Sequence, residues 1–278
     1  MSKPVIKWVG GKRQLIHELK SLLPKKYNRY FEPFIGGGAL FFSLRHQNSF
    51  ISDYNHELTN LYTTIKENPQ ELIKDLKKHK NTSEYYYETR SLDRDEKKYA
   101  KLSHVQKASR FIYLNKTGFN GLYRVNKKGQ HNVPYGKYKN PTWLDAENIL
   151  ACSELLGDTE IQTGDFEIIK KYVKKGDFVY FDPPYVPLNA SSSFTSYTDQ
   201  GFDSKMQERL KALCDHLNSI GAYFMLSNSY TDYILDLYKE YDIKTVMASR
   251  AVNSKASGRG KIKEVVVINY KPDTDGKN

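Results

Sequence analysis

Apolar residues recur along this chain with two periods. Ile16, Leu19, Leu22 and Leu23 follow helical spacing, and Pro24 closes the run. Tyr30-Phe31-Glu32-Pro33-Phe34 reads as a strand, Gly36-Gly37-Gly38 breaks it, and Ala39 to Leu44 opens a helix. Phe50-Ile51-Ser52-Asp53 is a second short strand. Strand, glycine turn, helix, strand is a βαβ unit, which implies a parallel sheet.

From residue 57 to about 140 the pattern changes. The segment is strongly charged and helical as far as Asn115, with Leu58, Leu61, Ile65, Leu72, Ile73 and Leu76 as its apolar stripe. FNGLYRVNKKGQHNVPYGKYKNP follows and predicts a β-hairpin, Leu122–Asn126 against Gln130–Pro134 around a Lys127-Lys128-Gly129 turn. The α/β pattern then returns, with strands expected at Glu160–Thr163, Phe178–Phe181, Tyr223–Leu226, Ile243–Val246 and Val265–Tyr270. The reading is therefore an α/β domain built from residues 1–56 and 141–278, with residues 57–140 inserted as a second, mostly helical domain. Leu188 to Phe202 and Ser249 to Lys263 are expected to be loops, and the tail after Lys271 to be disordered.

Charge narrows the partners. Lys and Arg number 43 against 32 Asp and Glu, a formal net charge of +11. Such an excess favours a polyanion, nucleic acid first and an acidic membrane second. The two cysteines, Cys152 and Cys214, make neither a disulfide framework nor a Cys-rich zinc site, and no metal is expected. No apolar run approaches the ~18 residues of a membrane span, and the N-terminus lacks a long apolar signal core. A cytoplasmic, soluble protein is expected.

Three stretches carry candidate chemistry. In open α/β sheets ligands bind where strands end and glycine turns bring the backbone close, and Glu32-Pro33-Phe34-Ile35-Gly36-Gly37-Gly38 fits such a turn. Asp53 ends the next strand, where a carboxylate can accept both hydroxyls of a ribose. Val9-Gly10-Gly11-Lys12-Arg13-Gln14 is not a phosphate loop: Ile6 stands where its first glycine belongs, and Arg13 where Ser or Thr is needed. Lys12 suits a small carboxylate, and the indole of Trp8 suits a cation such as a sulfonium.

FDPPYVP, from Phe181 to Pro187, is the third. It follows an apolar strand, so Asp182 should stand at the carboxyl end of a parallel strand. Pro183 and Pro184 donate no amide hydrogen and stiffen the turn. An acceptor-only carboxylate beside a prolyl carbonyl suits an exocyclic amine with two N–H donors. Accepting both hydrogens draws that nitrogen toward tetrahedral geometry and frees its lone pair. Tyr185 can stack on the base that carries the amine.

These residues carry a family resemblance. Lys7-Trp8 with VGGKRQ, FEPFIGGGALFF, ISDYN, FNGLYRVN, NVPYGKYKNP, DFVYFDPPYVPL, FTSYT and LSN together resemble a DNA adenine-N6 methyltransferase of the Dam/DpnM group, the D12 class. The resemblance runs from Lys7 to about Tyr270. It implies a Rossmann-like methyltransferase fold with one antiparallel strand, an inserted DNA-recognition domain and S-adenosylmethionine as cofactor. By the same resemblance Trp8, Lys12, Glu32, Pro33, Gly36, Gly37, Gly38, Asp53 and Asp182 match cofactor-contacting positions, and Asp165 and Phe166 the pair that brackets the cofactor adenine. Asp182, Pro183, Pro184 and Tyr185 match the catalytic tetrapeptide.

The resemblance also implies double-stranded DNA as substrate, base flipping and the sequence GATC. A two-stranded ribbon can enter the major groove, where Arg124 can fork onto guanine and Leu122 and Pro134 can cover a thymine methyl. Lys7, Phe119, Asn120, Asn126, Lys137 and Tyr138 match further DNA-contacting positions; Phe119 and Lys137 stand where some members carry Tyr and Arg. The Leu188 to Phe202 loop is expected to close over the site with Phe194 and Tyr197. A monomer is expected, with any cognate restriction endonuclease acting separately. Other readings stay open: a catalytically silent DNA-binding module, a methyltransferase acting on RNA or a protein amide, or one acting on cytosine N4, where Ser is commoner in place of Asp182.

Overall fold

The computed structural model describes residues 2–185, 202–249 and 261–272. Residues 186–201, which take in the expected closing segment except Phe202, residues 250–260 and the tail from 273 lie outside them, Phe194 and Tyr197 included. In chain order the elements are α1 (Ile16–Ser21), β1 (Tyr30–Glu32), α2 (Ala39–Leu44), β2 (Ser49–Asp53), α3 (His56–Glu67), α4 (Pro69–Leu76), α5 (Ser83–Ser91), α6 (Glu96–Ala100), α7 (His104–Thr117) and α8 (Ala146–Leu156). There follow β3 (Glu160–Thr163), β4 (Phe178–Phe181), α9 (Ser204–Ser219), β5 (Tyr223–Ser229), α10 (Asp232–Leu237), β6 (Asp242–Ser249) and β7 (Lys261–Ile268). The strand order is β3-β2-β1-β4-β5-β7-β6. This is an α/β, Rossmann-like fold, and β7 runs antiparallel to both β5 and β6. β7 begins at Lys261, inside a stretch expected as loop, because Lys261 to Lys263 pair with the end of β6.

The chain forms two compact units. One comprises residues 1–11, 36–47 and 53–164; the other comprises 12–35, 48–52 and 165–278. In the second, β1 pairs in parallel with β2 and β4, and β4 with β5. Phe178–Phe181 is buried at all four positions, which is why this strand is a continuous apolar run rather than an alternation. Phe31, Val179, Phe181, Phe224 and Leu226 share one core with Leu210, Leu213 and Leu217 of α9. β1 stops at Glu32 because Pro33 has no amide hydrogen to continue the ladder. Asp177, almost fully buried, takes Arg29 through two nitrogens and so fixes the entry to β4.

The first unit is mainly helical. Asn55 caps α3 by accepting from Glu57 N, Pro69 opens α4, and Ser103 and Gln106 form a reciprocal capping box on α7. Tyr86, Tyr113 and Leu114 make a small satellite core with Trp143. The two cysteines are free and buried, and burial pushes the Cys152 thiol up to about 12. Among the described residues no helix is long and apolar enough to cross a membrane.

Phe224→Ala, at a fully buried position of β5, should lower unfolding free energy by about 3–5 kcal/mol, read from urea denaturation midpoints.

Candidate active site

In the second unit the chain leaves β4 at Asp182, the carboxyl end of a strand flanked by parallel neighbours. Asp182 Oδ1 stands 2.9 Å from Lys12 Nζ, and the Lys12 side chain is only 6% exposed. The same ammonium lies 4.4 Å from the centroid of the Tyr185 ring. Burial lifts the Asp182 carboxyl above the ordinary carboxylate range, and the charge and hydrogen bond of Lys12 pull it back. Lys12, far from Asp182 and Tyr185 in sequence, is thus brought to both.

The segment after Asp182 is held from two sides. The Pro184 carbonyl accepts from Gln207 Nε2 at 3.4 Å, and Gln207 Oε1 accepts from Asn228 Nδ2 at 3.1 Å. The Tyr185 hydroxyl donates to Glu264 Oε2 at 2.9 Å. Burial pushes the Tyr185 phenol well up, with the Asp182 and Glu264 charges adding to the effect, so it stays a neutral donor. Sequence reasoning missed Gln207, Asn228 and Glu264. They lie on α9, β5 and β7; of the three only Asn228 falls in a quoted motif, the LSN of β5, which gave it no role.

Other expected site residues of this unit are placed differently. Glu32 is buried and accepts from the Tyr30 hydroxyl at 2.5 Å, and Pro33 is buried beside it. Phe166 is in the core, stacked on Phe34 at 5.4 Å. Asp165 Oδ1 accepts from Glu167 N at 3.0 Å and pairs with Arg209 at 3.0 Å, while the Arg209 guanidinium lies 5.1 Å over the Phe166 ring.

The first unit carries Trp8, the glycine turn and Asp53. Asp53 Oδ2 accepts from Gly36 N at 3.1 Å, and its Oδ1 accepts from Asn55 N at 2.9 Å. Burial raises this carboxyl, and those backbone donors work against the rise. Gly36 has φ +44°, and a Cβ there would stand 2.7 Å from Trp8 Cδ1. Only glycine meets both conditions. Trp8 stacks on Tyr123 with centroids 5.5 Å apart, and the Tyr62 hydroxyl donates to the Gly36 carbonyl at 2.7 Å.

The candidate DNA-contacting residues also fall in this unit. The predicted hairpin is antiparallel but not a continuous ladder: Val125–His131 and Gly118–Tyr135 are isolated bridges. Pro134 cannot donate, and the Asn126 carboxamide takes the turn amides of Lys128 and Gln130 at 2.9 and 3.0 Å. Arg124 is exposed, with Nε donating to Asn132 Oδ1 at 2.7 Å. Leu122 is half-buried, and Pro134 and Lys137 are exposed. Phe119 is 51% exposed. Lys7 Nζ lies 5.6 Å from the Tyr138 ring, whose hydroxyl accepts from Asn120 N at 3.0 Å. The second strand of the ribbon is clasped: Asp93 Oδ2 accepts from His131 N at 2.8 Å and pairs with Arg110 at 2.8 Å. Burial and the Arg110 charge lower His131 to about 4, so it is neutral there.

Comparison with known proteins places this assembly. The chain is 50% identical to the Type II methyltransferase M1.LlaDCHI of Lactococcus lactis subsp. cremoris, over 96% of this chain and 95% of that one. It is 43% identical to the Type II methyltransferase M.MjaIII of Methanocaldococcus jannaschii, over 96% and 99%. It is 31% identical to the DNA adenine methylase of Haemophilus influenzae, over 96% and 93%. The model of the D12 class matches residues 8–252. A cation-paired acceptor at the head of Asp-Pro-Pro-Tyr, a glycine turn packed on an indole and a match over most of the chain converge: this chain belongs to the D12 class of N6 adenine-specific DNA methyltransferases.

Proposed function

We propose that the chain methylates N6 of adenine within double-stranded 5′-GATC-3′, on a base rotated out of the helix. The observation that carries this reading is the acceptor group at the end of β4, the Asp182 carboxylate beside two prolyl carbonyls and an aromatic ring. Residues 57–140 supply target recognition, and the net charge of +11 favours approach to the duplex.

D12 enzymes use S-adenosylmethionine, which supplies an electrophilic sulfonium methyl group. The residues fit that group. Asp53 accepts one backbone N–H on each carboxylate oxygen, and each oxygen keeps a lone pair for a ribose hydroxyl. Lys12 offers a cation to the methionine carboxylate, and Trp8 an indole face to the sulfonium. Glu32, Pro33 and Gly36 to Gly38 lie in the turn; of the pair expected at the cofactor adenine, Phe166 is buried against Phe34, which leaves Asp165 as the accessible member.

For the target base, the Asp182 carboxylate accepts one N6 hydrogen and the Pro183 carbonyl the other. The Pro184 carbonyl is already engaged by Gln207, which leaves Pro183 as the partner of choice. Two acceptors localise the nitrogen lone pair, and Tyr185 orients the ring by stacking. Extruding the base costs a few kcal/mol, which DNA contacts must offset. Arg124 reads guanine; Leu122 and Pro134 cover a thymine methyl; Lys7, Asn120, Asn126, Lys137 and Tyr138 hold the duplex, and Phe119, exposed beside the ribbon, fills the vacated space. The chain acts as a monomer. The Type II relatives favour a modification enzyme whose restriction endonuclease acts separately.

Methylation of mixed-sequence DNA with labelled cofactor, followed by sequencing of modified adenines, should map N6-methyladenine to GATC; another site would overturn that specificity. Arg124→Ala should weaken discrimination at one guanine by about 1–3 kcal/mol while transfer continues. Asp182→Ala should slow transfer at least about 10²-fold with DNA affinity largely kept. Lys12→Met removes the cation that opposes the raised Asp182 carboxyl, so the acidic limb of the pH–rate profile should move to higher pH.

A further inference from the structure

A phenylalanine in place of Tyr185 would offer a base the same aromatic face. What tyrosine adds is a hydroxyl, and it donates to Glu264 Oε2 at 2.9 Å. Glu264 sits on β7 directly opposite Ser229 of β5 and Val246 of β6, so its backbone is paired on both sides. Its side chain is among the buried charged groups, with the residue 8% exposed. A carboxylate buried in a sheet is costly unless donors meet it, and a phenol is a strong donor to it.

The position of that bond matters. Lys12 Nζ lies 2.9 Å from Asp182 Oδ1 and 4.4 Å from the Tyr185 ring centroid. Ring face and carboxylate therefore border one small space. The tilt of the ring sets how far an amine on a stacked base stands from Asp182. The near end of the Tyr185 side chain follows two prolines, with the Pro184 carbonyl tied to Gln207. Its far end is tied through the hydroxyl to Glu264. We propose that Glu264 is a positioning residue for methyl transfer: through the Tyr185 hydroxyl it fixes the plane of the ring on which the target adenine stacks. This rests on the reading that Tyr185 stacks on that base.

The test is a double-mutant cycle on the full-length enzyme, read as single-turnover methyl transfer to duplex DNA. Glu264→Ala and Tyr185→Phe should each slow transfer about tenfold. The double variant should be no slower than Tyr185→Phe alone, because both remove the same bond. Glu264→Gln keeps an oxygen that accepts from the phenol and should retain most of the wild-type rate. DNA affinity should be unchanged throughout. Equal slowing by Glu264→Ala in the wild-type and Tyr185→Phe backgrounds would overturn the proposal, as would a Glu264→Gln variant as slow as Glu264→Ala. Should Glu264→Ala not fold, a Tyr185→Phe enzyme at full rate would overturn it alone. Base extrusion is followed separately, by 2-aminopurine fluorescence at the target position of the wild-type complex. No fluorescence rise there would refute the stacking reading itself.

Discussion

A half-buried carboxylate paired with one cation is the interaction on which the proposed chemistry depends. Asp182 is lifted by burial and drawn back by Lys12 at 2.9 Å. Without that cation the acid would tend to hold its proton and could not accept a hydrogen bond from an amine with full charge. The sheet delivers Asp182: β4, like β1, has parallel partners on both flanks, and its four apolar residues anchor the acid that follows them.

The glycine turn obeys a separate constraint. Gly36 must take a positive φ while an indole lies within 2.7 Å of where a Cβ would be. Asp53 then closes the turn by accepting its amide. Backbone conformation, aromatic packing and carboxylate orientation are mutually fixed, so the acid at the end of β2 is presented by a rigid frame rather than by a loop.

Much of this was legible in the sequence, for definite reasons. β3 and β4 match their expected bounds, and β1 and β2 nearly so, because short apolar runs bounded by Gly, Pro or Asp are local signals. β5 runs on past Leu226 through Ser227, Asn228 and Ser229, all buried. Polar residues there carry no strand signal of their own; pairing with β7 makes them strand. The predicted hairpin took shape as isolated bridges, since Pro134 has no amide hydrogen to give the ladder and Asn126 diverts the turn amides. Tyr185 was visible from its motif, whereas its partner Glu264 was not, because a contact across 79 positions leaves no periodic trace.

The ribbon divides into a fastened strand and an open one. Asp93, Arg94 and Arg110 grip it at His131, and Tyr86 and Arg90 both donate to the Val133 carbonyl. Arg124, Val125, Lys127 and Lys128, by contrast, are exposed and belong to no core. Exchanging side chains on the open strand and its turn therefore costs the scaffold little. Under the proposed role of this ribbon in target recognition, the letters read can be retuned without rebuilding the acceptor at the end of β4, so lineages sharing that frame are free to diverge in the words they mark.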